Sequence, residues 1–116
     1  MDLYVEPGYE TVADVLRFAL DQTQSGKGKE RHASDEPFEH QEIMDGARKC
    51  GPEAMAFQVR KKALEAVRLV NNGEYEKSKA DILGAIIYAA AEYLRVEEMR
   101  AENVFGEACE IVALDE

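Results

Sequence analysis

The chain has no tryptophan and only two cysteines and two histidines among its 116 residues. Cations are scarce as well: 14 Lys and Arg stand against 24 Asp and Glu, a formal net charge of -10 at pH 7. Each scarcity excludes something. Cys50 and Cys109 lie far apart and form no CxxC, so no zinc or redox motif arises. The expectation is two free, partly buried thiols in a reducing compartment. Two histidines leave no Ser/His/Asp constellation that sequence spacing supports. A deficit of positive charge argues against duplex nucleic acid, where phosphate neutralisation dominates affinity, and against an anionic membrane surface. Long apolar runs are missing too. Ile82 to Ala91, interrupted by Gly84, is too short to span a bilayer, and Met1 to Gly8 carries Asp2 and Glu6 in place of a signal-peptide core. A cytoplasmic protein with no membrane partner is expected.

What is present reads as helix. A chain of this length is one domain, residues 1–116, large enough for a core without staples. The pattern predicts an all-α bundle of about four helices. The first starts near Tyr9 to Thr11 and runs to about Gln24, with Val12, Val15, Leu16, Ala19 and Leu20 at helical spacing. Glu10 and Asp14 suit its early turns, and Ser25-Gly26 ends it. A second helix is expected from Pro37 to Lys49, carrying Phe38, Ile43, Met44 and Ala47, and broken by Gly51-Pro52. A third covers Pro52 to Asn71, with Met55, Val59, Ala63, Ala66, Val67 and Val70 on one side, and Asn71-Asn72-Gly73 makes the turn. The fourth, Glu74 to Glu102, has a broad apolar face from Ile82 to Leu94, with Tyr75, Tyr88 and Tyr93 at core-like positions. Its small residues Gly84, Ala85, Ala89 and Ala91 admit a close neighbour. The apolar ends, Leu3-Tyr4-Val5 and Ile111-Val112-Ala113-Leu114, have some strand character, so short terminal strands are a second expectation. A helix apolar on several sides must be covered on several sides, which predicts a homo-oligomer assembled through the fourth helix and the terminal segments.

One stretch reverses the acidic character. Lys27-Gly28-Lys29-Glu30-Arg31-His32 lies in a polar connection of about a dozen residues, a length that is uncommon in compact domains and often functional. Glycines let backbone N–H groups approach an anion; Lys27, Lys29, Arg31 and His32 supply charge and donors. The stretch is not a Walker A loop, since Ser25-Gly26-Lys27-Gly28-Lys29 lacks the spacing and the hydroxyl. Such a loop suits a phosphate; the plainer alternative is a solvated surface loop. Arg60-Lys61-Lys62 forms a second basic cluster, in which Lys61 or Lys62 would complete a phosphate site if the loop folds over that helix. Pairing of Lys61 with Glu65 is the routine alternative. Glu39, Glu42 and Asp45 recur by threes and could hold Mg²⁺ together with a substrate phosphate, or form an acidic solvent face. Asp81 opens the apolar part of the fourth helix, as a further metal carboxylate or a paired boundary residue.

Ser25 to Ala33, Pro37-Phe38-Glu39 with Gln41, Lys61-Lys62-Ala63, and Leu83-Gly84-Ala85-Ile86 with Tyr88 together resemble a group of small phage and prophage proteins, over about residues 25 to 95. The order of parts also resembles the amino-terminal family of phage dATP/dGTP diphosphohydrolases and the MazG-like pyrophosphohydrolases. The latter resemblance implies an ExxE on one helix and an ExxD on a later one, together holding Mg²⁺. Glu39-His40-Gln41-Glu42 fits the first; Asp81 fits the aspartate of the second, but Ser78 stands at the glutamate position. What the resemblance implies is therefore a nucleotide-binding protein that sequesters a nucleotide signal of host defence through Lys27, Lys29, Arg31 and His32, with no catalytic metal. The alternative is a Mg²⁺-dependent pyrophosphohydrolase using Glu39, Glu42 and Asp81. An acidic protein-interaction inhibitor is the third expectation.

Overall fold

The computed structural model describes residues 4–25 and 37–115, with side chains described over 4–24 and 37–103. The fold is all-α. Among the described residues four helices follow in order: α1 (Glu10–Ser25), α2 (Glu42–Cys50), α3 (Pro52–Asn71) and α4 (Tyr75–Asp115), with one 3₁₀ turn, Phe38–His40, ahead of α2. No strand occurs among the described residues.

Local chemistry sets the boundaries. The Glu10 carboxylate accepts from the Gly8 N–H at 2.9 Å, where the α1 dipole favours negative charge. Gly51, at φ 84°, closes α2 by donating its N–H to the Ala47 carbonyl at 2.9 Å. The next residue, Pro52, opens α3, where its missing N–H costs nothing. The turn between α3 and α4 is a Schellman cap. Gly73, at φ 76°, donates to Val70 O and Glu74 donates to Leu69 O, both at 2.9 Å. Left-handed backbone at Gly73 is what makes a connection this tight feasible.

α3 and α4 form an antiparallel hairpin that dominates the packing. α2 packs across it and builds the main core: Ile43, Met44 and Ala47 meet Met55 and Ala91, with Phe38, Ile87, Tyr88 and Leu94 against them. Near the turn, Ala66 and Leu69 are buried beside Ser78, whose hydroxyl donates to the Ala66 carbonyl at 2.8 Å. α4 is about 60 Å long at 1.5 Å per residue, twice the length of α3. A folded 13.0 kDa chain ordinarily leaves about 6,300 Å² accessible, whereas this one leaves 8791 Å².

Several expectations change. Ile111–Leu114 belong to α4 and are helical rather than a terminal strand; among the described residues no partner strand offsets the cost of leaving the helix. Pro37–Lys49 is not one helix: Gln41 is extended at φ -83° and ψ 163°, which separates the 3₁₀ turn from α2. On α1 only Ala19 is buried; Val12, Val15, Leu16 and Leu20 are exposed. On α3, Met55 and Ala66 face the core with Leu69, while Ala63, Val67 and Val70 are exposed. The apolar residues of α3 occupy two sides of the helix, and the hairpin covers one. Tyr88 packs on the core, but Tyr75 and Tyr93 are exposed. Cys50 is a free thiol and exposed, not partly buried.

Candidate functional site

The predicted phosphate-gripping residues Lys27, Lys29, Arg31 and His32 lie outside the described residues. The other predicted residues fall at two places about a helix half-length apart.

The first is the middle of the hairpin. Lys62 lies across from Asp81, Nζ to Oδ1 at 3.7 Å, and both side chains are three-quarters buried. The Lys62 stem crosses Gly84: a β-carbon there would meet Lys62 Cδ at 3.6 Å and Cε at 3.7 Å. A small residue at 84 thus lets an amphipathic stem lie flat between the helices. Ser78 sits one turn before Asp81 and is 2 % exposed. Its position is taken up by the bond to Ala66, so it closes the hairpin and does not face a ligand. Arg60 and Lys61 do not join this pair. Both are exposed, and neither makes an ion pair among the described residues. Glu65, which the sequence pairs with Lys61, is held instead by Arg68; that hydrogen bond keeps its carboxyl below the usual range.

The second place is where α2 meets the lower half of α4. Arg48 is the hub. Its guanidinium donates to both Glu98 oxygens, the shortest bond being 2.8 Å, and to the Glu39 carbonyl at 2.8 Å. Asp45 lies 3.5 Å from the same guanidinium. Arg95 adds a bond to Glu98 at 3.1 Å and one to Glu102 at 3.3 Å. The hydrogen bond from Arg48, then that from Arg95, hold the Glu98 carboxyl below its ordinary value, and Arg48 is raised in return. Beside this network Pro52, Val96 and Met99 line an open groove of about 680 Å³, edged by Arg95, Arg100 and Glu102. The Arg95 Nε is buried with no hydrogen-bond partner among the described residues. Sequence spacing could not have found this network, because Arg48 and Glu98 are half the chain apart and pair only through the docking of α2.

These geometries bear on the carboxylates. Glu39 and Glu42 belong to the α2 end, and Asp81 to the hairpin middle. Arg48 places Glu39 level with Glu98, and α4 rises about 25 Å between Asp81 and Glu98. Glu39, Glu42 and Asp81 are therefore not brought together within one subunit. Among the described residues no group of three or more His, Cys, Asp or Glu side chains could hold a metal ion. No described helix is long and apolar enough to cross a membrane. Compared with known protein families, curated proteins and solved structures, the chain matches none.

Proposed function

We propose that this protein binds a nucleotide-like phosphate ligand and holds it without cleaving it. The observation that carries the reading is the disposition of charge on the hairpin. Asp81, the aspartate a MazG-like hydrolase would need, is neutralised by Lys62, while Ser78 fills the adjacent position as a packing residue. Arg60 and Lys61, by contrast, are exposed and unpaired among the described residues, so they are available to an anion. With Lys62 committed to Asp81, Lys61 is the member of the cluster suited to complete a site with Lys27, Lys29, Arg31 and His32. The likeness of the loop and hairpin segments to small phage proteins supports the further reading that the ligand is a nucleotide signal of host defence and that sequestration is the task.

Incubating the protein with a nucleotide panel, removing free ligand, releasing the rest by heat and analysing it tests this directly. Intact nucleotide is expected. Pyrophosphate or a nucleoside monophosphate, formed with Mg²⁺ and lost in Glu42→Gln, would make the hydrolase reading correct, since a metal held there would activate water.

A further inference from the structure

The free face of α4 carries a heptad seam. Tyr75, Ile82, Ala89 and Val96 recur every seven residues, and Lys79, Ile86, Tyr93 and Arg100 interleave with them at alternating steps of three and four. That is the spacing of a coiled-coil interface. Among the described residues it is largely uncovered, with Ile86 half-buried: Tyr75 is 64 % exposed, Ile82 45 %, Tyr93 74 % and Val96 50 %. On side chains of roughly 150–250 Å² these fractions amount to about 500 Å², before Ala89 and the aliphatic stems of Lys79 and Arg100 are added. A standard interface buries about 800 Å² per partner, so these four side chains alone supply more than half of it.

Charge decides what can cover it. Each end of the seam holds an exposed pair within the helix, Glu76 with Lys79 and Glu97 with Arg100. A parallel, in-register copy would stack Lys79 on Lys79 and Arg100 on Arg100. An antiparallel copy, with its two-fold axis beside Ile87 and Tyr88, sets Lys79 near the partner's Glu97 and Glu76 near the partner's Arg100. The same register faces Ile86 with the partner's Ala89 and Ile82 with the partner's Tyr93, large against small in the central layers. It also lays Tyr75 against the partner's Arg100, a cation–π arrangement. We infer that two copies of this chain pair antiparallel along α4, through the seam from Tyr75 to Arg100.

Light scattering and cross-linking test the pairing. The 116-residue chain at micromolar concentration should return twice its mass of 13.0 kDa, or a larger even multiple. Ile82→Glu combined with Tyr93→Glu should raise the dissociation constant at least about tenfold, as for loss of interface anchors, with helicity unchanged because both side chains are exposed. In a background with Cys50→Ser and Cys109→Ser, Ile86→Cys and Ala89→Cys should cross-link when mixed and not separately. This last test keeps the register falsifiable even if the glutamate variant unfolds. A wild-type monomer, an assembly that survives the double glutamate substitution while folded, or self-cross-linking of Ile86→Cys alone would each overturn the inference.

Discussion

Ser78 offers the sharpest test of how the hairpin is held. Its side chain is 2 % exposed and donates a 2.8 Å hydrogen bond to the Ala66 carbonyl across the two long helices. Ser78→Ala removes the donor and leaves a carbonyl that sits within the α3 ladder, so no acceptor is stranded. The cost should be that of one ordinary buried hydrogen bond, about 1 kcal/mol. For a chain of this length the unfolding entropy converts that into a fall in Tm of about 4 °C. Ser78→Glu, which would restore the ExxD pattern, is different in kind. The longer side chain must displace Ala66 or Leu69, and a carboxylate would be buried where Lys62 is already paired with Asp81. An uncompensated buried charge costs about 3–5 kcal/mol, a large part of the 5–15 kcal/mol that holds a typical domain folded. Thermal melts followed by far-UV circular dichroism measure both. Ser78→Glu should also fail to gain Mg²⁺-dependent melting. A glutamate variant as stable as the parent, or an alanine variant with unchanged Tm, would refute the assignment of Ser78 to packing.

The remaining expectations are more compact. Met44 is fully buried at the junction of α2 with the hairpin, so Met44→Ala should cost about 2–5 kcal/mol in denaturant unfolding, the range for emptying such a site. The folded Glu98 carboxyl lies below its ordinary value of 4.5, chiefly through the Arg48 hydrogen bond. Its contribution is therefore present above that value and lost as pH falls through the lower folded value, and Glu98→Gln should flatten the acid limb of a stability–pH curve. Arg31→Ala should weaken nucleotide binding by about 1.5–3 kcal/mol in calorimetry, the loss of a charged hydrogen bond, with Tm nearly unchanged. Lys61→Ala should weaken the same titration, whereas Lys62→Ala should lower Tm by leaving the largely buried Asp81 without its partner.

Periodicity, glycine and proline place most elements of this protein without reference to packing. The start of α1 and the boundaries of α3 follow from local signals, as does the Gly51-Pro52 junction that ends one helix and starts the next. The all-α class follows because no segment alternates at period two over a useful length. Local signals also misled at the carboxyl end, where Ile111–Leu114 has strand propensity yet continues the helix that begins at Tyr75. What the sequence could not decide was which apolar side of each helix the fold would use. α3 and α4 each carry apolar residues on more than one side, and only the docking of α2 and the Schellman turn chose between them. The same docking created the Arg48–Glu98 pair and separated Glu39 from Asp81. Lys62 and Asp81 were both visible as charged residues beside an apolar run, but their meeting depends on Gly84 clearing the space between two helices. Helix identity is a matter of neighbours along the chain, which the sequence contains. Partnership between faces is a matter of distances between helices, which only the folded chain supplies.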